Sequence, residues 1–175
     1  AQYSSLFAAI TAEPVLRDRK MIAEPWDVTR YGLGDFAYPW REWNDYFRDS
    51  VRQFWLGDLA RGFGEGVSDI ASAISGSSGI FYHRGPTASI NFITAHDGFT
   101  LRDLVSYNEK HNEANREENR DGHSSNKSWN AGVEGETDDL RIKQIRQSLK
   151  KSMAATLLLS AGVQMINMGD EVNST

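Results

Sequence analysis

Short apolar runs and helical apolar stripes follow one another along these 175 residues. Three runs are typical of strands buried in a parallel sheet, namely residues 19–24, 88–95 and 163–168. Other stretches carry apolar side chains at steps of three and four residues, which predicts helices at residues 2–12, 41–55, 59–75 (interrupted by glycines), 100–107 and 138–160. Strands that alternate with helices in this way indicate an α/β fold with parallel strands.

Two loops separate these elements. Residues 25–40 are marked as a loop by Gly32, Gly34 and Pro39. Residues 108–137 are almost entirely polar. A loop of that length is usually either functional or disordered, so we expect it to contribute to a site or to be unstructured.

Ionisable residues follow each of the three predicted strands. Glu24 follows the first, His96 and Asp97 follow the second, and Asp170 and Glu171 follow the third. The carboxyl ends of parallel strands lie on one side of a sheet, which is where α/β barrels and open sheets keep their sites. We therefore expect these side chains to converge on one face.

Composition narrows the classes of partner. A net charge of −5 argues against a nucleic-acid backbone as partner, because such binding calls for a basic patch. No apolar run approaches the ~18 residues of a membrane span. Cysteine is absent, which excludes disulfides and fits a cytoplasmic protein. No ligand spacing stands out among the acidic residues and asparagines of residues 108–139, so we expect neither a metal nor another cofactor.

Aromatic residues are concentrated in one part of the chain. Four of the five tryptophans lie between positions 26 and 55. Such rings can simply pack in a core. They can also form the flat apolar surfaces on which sugar rings stack.

The strand-end residues have both a chemical and a structural interpretation. Beside Trp26, the carboxyl group of Glu24 would be partly dry, and desolvation raises a carboxyl pKa toward the value that a general acid needs near neutral pH. Alternatively, Glu24 could form a salt bridge or cap a helix, Asp97 could shape an Asp-Gly turn or cap a helix, and His96 could donate to the backbone. Two carboxylates and an imidazole with aromatic walls together favour glycoside hydrolysis.

Four stretches carry a resemblance to a known family: MIAEPWD, FAYPWREWNDYFRDSVRQFW, NFITAHDGFTLRDLVSYNEKHNEANRE and DGHSSNKSWNAGVEGETDD. In this order they resemble the glycogen-debranching and isoamylase branch of the α-amylase superfamily, from about Leu6 to Glu171. The resemblance implies a (β/α)8 TIM-type barrel. Residues 1–175 would be its C-terminal half, strands five to eight, as a partial catalytic domain of a longer chain.

The resemblance also implies roles for individual residues. The family cleaves α-glucans by a retaining double displacement. Glu24 corresponds to its general acid/base after strand five, Asp97 to the transition-state-stabilising carboxylate after strand seven, and His96 to the histidine that hydrogen-bonds the sugar where cleavage occurs. Candidate surfaces for stacking a sugar are Trp26, Tyr31, Trp40 and Trp43. The predicted substrate is the α-1,6 branch linkage of glycogen or limit dextrins.

One departure from the family is large. Its aspartate nucleophile, which follows strand four two residues after an arginine, has no counterpart here, since Arg102 and Asp103 follow strand seven instead. A lesser change is Ala131, where many relatives carry cysteine. A retaining mechanism needs the nucleophile about 5 Å from the acid/base. We therefore expect the chain alone to be inactive, and to meet a missing half-barrel or a second copy through open sheet edges.

Two alternatives stay open. Because the α-1,6 preference depends on the resemblance alone, an α-1,4-acting or transglycosylating relative is the first. The second is a non-catalytic glucan-binding or interaction half-barrel, which the missing nucleophile favours. The joint presence of Glu24, His96 and Asp97 disfavours it, since a binding module does not need an acid/base.

Overall fold

The computed structural model describes residues 5–58 and 66–175, and within these ranges four parallel strands form one sheet. In their order across the sheet the strands are β1 (Ile22–Ala23), β2 (Arg41–Asn44), β3 (Ser89–Asn91) and β4 (Val163–Gln164). Ala23 lies opposite Glu42, Asn44 opposite Asn91, and Asn91 opposite Gln164. The predicted α/β class with parallel strands is confirmed, and the sheet is compatible with part of a barrel.

Helices connect the strands. The α-helices are α1 (Ser5–Ala12), α2 (Asp45–Arg52, continued by π-helical turns over Gln53–Asp58), α3 (Val67–Ile74), α4 (Ser78–Phe81) and α5 (Leu140–Leu159). Short 3-10 turns lie at Pro86–Ala88, Asp103–Val105, Glu113–Asn115 and Asp170–Val172. Parts of the predicted helices at residues 2–12 and 59–75 lie outside the described residues. None of the helices within the described ranges combines the length and the apolar character that crossing a membrane requires.

The predicted helix over residues 41–55 is wrong in its first turn, which is strand β2. The two inward positions of this strand, Glu42 and Asn44, are both fully buried although both are polar. A strand with polar inward positions has no hydrophobic alternation, whereas Trp43, Phe47 and Val51 continue a helical spacing across the boundary. The helix begins only at Asp45, where the side chain of Asn44 accepts a hydrogen bond from Phe47 N.

The predicted helix over residues 100–107 is also wrong, since this stretch forms turns and one 3-10 turn. At its start the Thr100 hydroxyl accepts a hydrogen bond from Asp103 N at 3.2 Å. Further along, the carbonyl of Leu104 accepts from Trp129 N at 2.9 Å and that of Ser106 accepts from Gly135 N at 2.8 Å. These carbonyls serve the long polar loop instead of the next helical turn, so the helix does not propagate.

An apolar layer packs among the helices and the chain that follows strand β3. Its buried members come from α2 and its π-helical continuation, α3, α5, the chain after β3 and the 3-10 turn that follows, and they are Phe47, Val51, Leu56, Ile70, Ala73, Ile93, Leu104, Val105, Met153 and Leu157. At its rim the Trp55 indole donates to the Thr156 hydroxyl at 3.0 Å. Full burial of each large aliphatic or aromatic side chain contributes about 1.5–3 kcal/mol, so this layer is the main source of stability.

A buried row of polar side chains runs across strands β2 and β3. The Asn44 amide donates to the hydroxyls of Ser77 and Ser89, at 2.9 and 2.8 Å. Ser89 in turn donates to Asn91 Oδ1, and the Asn91 amide donates to the carbonyl of Ala161 at 3.0 Å. These hydrogen bonds satisfy polar groups whose burial would otherwise destabilise the fold.

Candidate functional site

Three of the predicted site residues meet at the carboxyl edge of the sheet. One side-chain oxygen or nitrogen of each of Glu24, His96 and Asp97 lies within 4.8 Å of those of the other two. His96 Nε2 is 3.7 Å from Asp97 Oδ1. All three side chains are exposed, so the partly dry setting expected for Glu24 is wrong for this chain. The buried neighbours are instead Ala23 and Pro25.

The segment after Glu24 folds back on itself as a tight turn. Trp26 and Tyr31 form an antiparallel bridge, and Gly32 N donates to the carbonyl of Pro25 at 2.7 Å. Inside the turn the Asp27 carboxylate accepts from the hydroxyl and N–H of Thr29 and from the N–H of Arg30. These hydrogen bonds, that of the Thr29 hydroxyl first, lower the pKa of Asp27. The turn therefore has a defined shape close to Glu24.

This turn forms one wall of an open cavity. The cavity has a volume of about 400 Å³, and its lining includes Glu24, Trp26, Arg30 and Phe36. The outer side of the turn is tied to α2, because the Tyr31 hydroxyl donates to Asp45 Oδ1 at 2.7 Å. Burial, followed by the hydrogen bond to Asp45, raises the pKa of Tyr31. The Tyr31 ring itself is 59% exposed and so remains open to a ligand.

The far end of the same loop is anchored on strand β2. The fully buried Glu42 carboxylate accepts from Gly34 N at 2.6 Å and from Phe36 N at 3.3 Å. The guanidinium of Arg84 pairs with the same carboxylate and also donates to the carbonyl of Trp40. The anchoring role of Glu42 was missed in the sequence, because a charged residue at a buried strand position leaves no hydrophobic signal.

The other two tryptophans predicted to stack on sugar, Trp40 and Trp43, lie in different places. The ring of Trp43 is 5.6 Å from that of His96 and 5.6 Å from that of Phe92, which places it beside the three converging side chains. Trp40 precedes β2 at the amino end of the strand, and its ring packs against Phe7 at 5.1 Å. The structure therefore brings Trp43 to the site and does not bring Trp40 to it.

Asp170 supports the segment that carries His96 and Asp97. Its carboxylate accepts from the Thr94 hydroxyl and from Leu101 N, the latter at 3.0 Å. Asp170 thus lies at the same edge of the sheet, as expected from its position after the last strand. Its oxygens are used to hold the neighbouring segment, a role that the sequence did not indicate.

The long polar loop is organised around one carboxylate. Glu134 accepts from the backbone N–H groups of Asn108 and Glu109, from the Asn130 amide, and makes a 3.0 Å hydrogen bond with His111 Nε2. Partial burial alone would raise the pKa of Glu134, but these hydrogen bonds outweigh it and lower the pKa to about 2. The loop is therefore structured, which resolves the alternative left open by its length.

A second cavity lies between this loop and the segment that carries His96. It has a volume of about 870 Å³ and is lined by His96, Phe99, Tyr107, Lys110, His111 and His123 among others. Aromatic rings, hydrogen-bonding groups and charged side chains of both signs line it. This mixture suits a polyhydroxylated ligand more than an apolar one.

The three converging side chains also offer a set of ligands that a cation could share. Their atoms are close enough for one ion, although exposed acidic groups are often clustered without one. Two oxygens and one nitrogen form an incomplete shell for a hard cation such as Ca²⁺, which takes six to eight oxygens. We therefore assign the cluster no metal.

Comparison with known proteins gives clear matches along nearly the whole chain. A protein of Mycobacterium tuberculosis named "Glycogen operon protein GlgX homolog" is 51% identical over 176 residues, which is 98% of this chain and 24% of that protein. Proteins named "Glycogen debranching enzyme" from Erwinia tasmaniensis and Salmonella typhi are 49% and 50% identical, over 95% and 97% of this chain. No protein-family model matches.

The chain spans about a quarter of the length of the curated relatives that it matches. Identity near one half over almost every residue confirms the family resemblance that the four motif stretches predict.

Proposed function

We propose that this chain, a homologue of proteins named "Glycogen debranching enzyme", supplies the acid/base and a second carboxylate of a retaining glycoside hydrolase. The proposed substrate is the α-1,6 branch linkage of glycogen or limit dextrins. The observation that carries the proposal is the meeting of Glu24, His96 and Asp97 within 4.8 Å at the carboxyl edge of a parallel sheet.

Each of the three side chains has a task in the proposed reaction. Glu24 donates a proton to the glycosidic oxygen as its bond to the sugar breaks, and later takes a proton from the water that releases the product. Asp97 stabilises the positive charge that develops on the sugar ring in the transition state. His96 donates a hydrogen bond to a hydroxyl of the same sugar, and its ring is supported by Trp43.

The cavities on either side of this cluster would hold the rest of the glucan. Trp26 and the exposed ring of Tyr31 form the wall beside Glu24, and such rings can stack against sugar faces. The larger cavity under the long polar loop would take sugars beyond His96. Trp40 has no part in this proposal, because its ring packs against Phe7.

The proposal needs a nucleophile from outside these 175 residues, in the other half of a (β/α)8 barrel. Exposed apolar side chains at both edges of the sheet support a covering half. Ile22 of the edge strand β1 is 47% exposed, and Ile166 and Met168, which follow β4 at the other edge, are 56% and 91% exposed. Unpaired strand edges with apolar side chains normally meet another strand or helix.

The test compares Glu24→Gln with the unaltered polypeptide as it is encoded in its source organism. Release of reducing sugar is measured on a branched limit dextrin and on a linear α-1,4-glucan side by side. Glu24→Gln should lower kcat on the branched substrate by about 10²–10⁴ with the fold intact, because it removes the proton donor. Glu13→Gln, at an exposed position after α1, is the matched control and should leave kcat unchanged.

The alternatives give different results in the same assay. Preferential cleavage of the linear glucan would favour the α-1,4-acting relative. Binding of glucan with no release of reducing sugar, by the unaltered polypeptide, would favour the non-catalytic binding module. Full activity of Glu24→Gln would remove Glu24 from the role of acid/base.

A further inference from the structure

The segment Thr94–Leu101, which carries His96 and Asp97, is held from two sides. Asp170 holds it from one side by the hydrogen bonds described above. From the other side the buried side chain of Asn126, only 5% exposed, reaches it from the long polar loop. Asn126 Oδ1 accepts from Phe99 N at 3.0 Å, two residues after Asp97, and Asn126 Nδ2 donates to the carbonyl of His123 at 2.9 Å.

The backbone of Asn126 is itself held by a buried arginine. Arg52 of helix α2 is 4% exposed, and its Nη1 donates to the carbonyl of Asn126 at 3.1 Å. Its Nε donates to the carbonyl of Ile93, just before the segment, at 2.8 Å. One guanidinium therefore ties the chain that enters the segment to the residue that holds its far side.

The backbone lies unusually close to the Asn126 amide at one point. Gly98 has φ +83°, a conformation that side-chain-bearing residues rarely adopt, and a Cβ at this position would collide with Asn126 Oδ1. The glycine directly follows Asp97. The segment therefore packs its bare backbone against the amide, so that a displacement of the amide is transmitted to Asp97.

We propose that Asn126 is a positioning residue, whose side-chain amide sets the place of Asp97 and His96 relative to Glu24. This inference depends on the proposed function, since it assigns these three residues to the reaction. An amide suits the position because it accepts from Phe99 N and donates to the His123 carbonyl at once. A carboxylate would keep the first hydrogen bond, lose the second, and bring a negative charge towards Asp97.

The experiment measures kcat, KM and the melting temperature of the full encoded polypeptide on limit dextrin. In Asn126→Ala, kcat should fall about 100-fold while KM stays within about threefold, because misplacement of a reacting group by about 1 Å costs a factor of this order. Asn126→Asp has the same shape and should lose less, about 10-fold, because it keeps the acceptor for Phe99 N. It also serves as the test if Asn126→Ala does not fold.

The control is Asn115→Ala, an exposed asparagine of the same loop whose amide donates only within the loop, to Asp121. It should leave kcat unchanged. The proposal is overturned if Asn126→Ala or Asn126→Asp lowers the melting temperature while kcat, measured well below that temperature, stays within twofold. Asp97→Asn in the same assay separates a failure of the proposed function from a failure of the positioning role. If Asp97→Asn keeps full activity, the proposed function fails, whereas an inactive Asp97→Asn beside an active Asn126→Ala overturns only the positioning role.

Discussion

The two segments that bring carboxylates to the site are held in opposite ways. After Glu24, the hydrogen bonds of residues 25–36 reach partners 2 to 14 residues away, such as Thr29 for Asp27 and Asp45 for Tyr31. The segment around Asp97 is held by partners 27 to 76 residues away, Asn126 and Asp170. Because the entropy cost of closing a loop grows with its length, the contacts of the first segment form at a lower entropy cost than those of the second.

The segment around Asp97 is therefore the more vulnerable part of the site. A destabilised form of the protein should keep the turn beside Glu24 and lose the placement of Asp97 first, since local structure persists when long-range contacts weaken. Long-range supports nevertheless have an advantage, because they link the position of Asp97 to helix α2, to the long polar loop and to the chain after β4 at the same time.

The anchor of the Glu24 loop on strand β2 should have the greatest effect on stability. Glu42→Ala removes the anchor of the Glu24 loop and leaves the partly buried Arg84 guanidinium and two backbone N–H groups without their acceptor. The free energy of unfolding should fall by about 3–5 kcal/mol, the usual cost of breaking a buried ion pair. Urea unfolding of the full polypeptide measures it. Glu118→Ala, in an exposed pair with Arg120, should cost less than about 1 kcal/mol. A cost for Glu42→Ala as small as that of the control would contradict the anchor.

The long polar loop, which supplies Asn126 to the Asp97 segment, should be stabilised less at low pH. The pKa of Glu134 is about 2 in the fold and 4.5 in an unperturbed carboxyl. The unfolded chain therefore binds the proton first, so the stabilisation is complete above about pH 4.5 and is lost as the pH falls towards 2. In urea unfolding, the difference between the unaltered protein and Glu134→Gln should shrink over this window.

Glu113→Gln controls for the loss of a carboxylate from the same loop, at an exposed position. A difference that stays constant over the window would mean that the hydrogen bonds to Glu134 do not depend on its charge.

The smallest expected effect concerns Tyr31, at the tip of the local turn. Tyr31→Phe removes one exposed hydrogen bond to Asp45 and should lower the free energy of unfolding by less than about 1 kcal/mol. If the ring stacks on sugar, Tyr31→Phe should keep KM for limit dextrin, whereas Tyr31→Ala should raise it. Equal KM values for the two variants would remove Tyr31 from the binding wall.

Runs and stripes of apolar residues predicted most of the elements. Helix α5 was expected over residues 138–160 and spans Leu140–Leu159, where Asp139 caps its start by accepting from Arg141 N. Strands β1, β3 and β4 lie inside the predicted apolar runs, although each is shorter. Strand β2 escaped because its inward side chains, Glu42 and Asn44, are polar and no apolar run surrounds them. The inward Ser89 and Asn91 of β3 are polar as well, but the buried Ile90, Phe92 and Ile93 beside them form an apolar run.

The residues at the strand ends could be predicted from the sequence, whereas the residues that support them could not. Glu24, His96 and Asp97 could be brought together in advance, because residues that follow parallel strands share one edge of a sheet. The supports of the site could not be. Asn126 lies within a polar loop, and no local pattern distinguishes it from the other asparagines there, since its partners are fixed only by the folded chain.

The buried polar row that runs from Asn44 to the carbonyl of Ala161 specifies the register of the strands. A slip of one residue would move a strand by about 3.3 Å and turn its side chains to the opposite face. It would bring Ile90 to the place of Ser89 or Asn91 and leave the amide of Asn44 or the carbonyl of Ala161 unmatched. Side chains that touch no ligand thus fix the register of the strands. That register decides whether the side chains that follow the strands meet at the site.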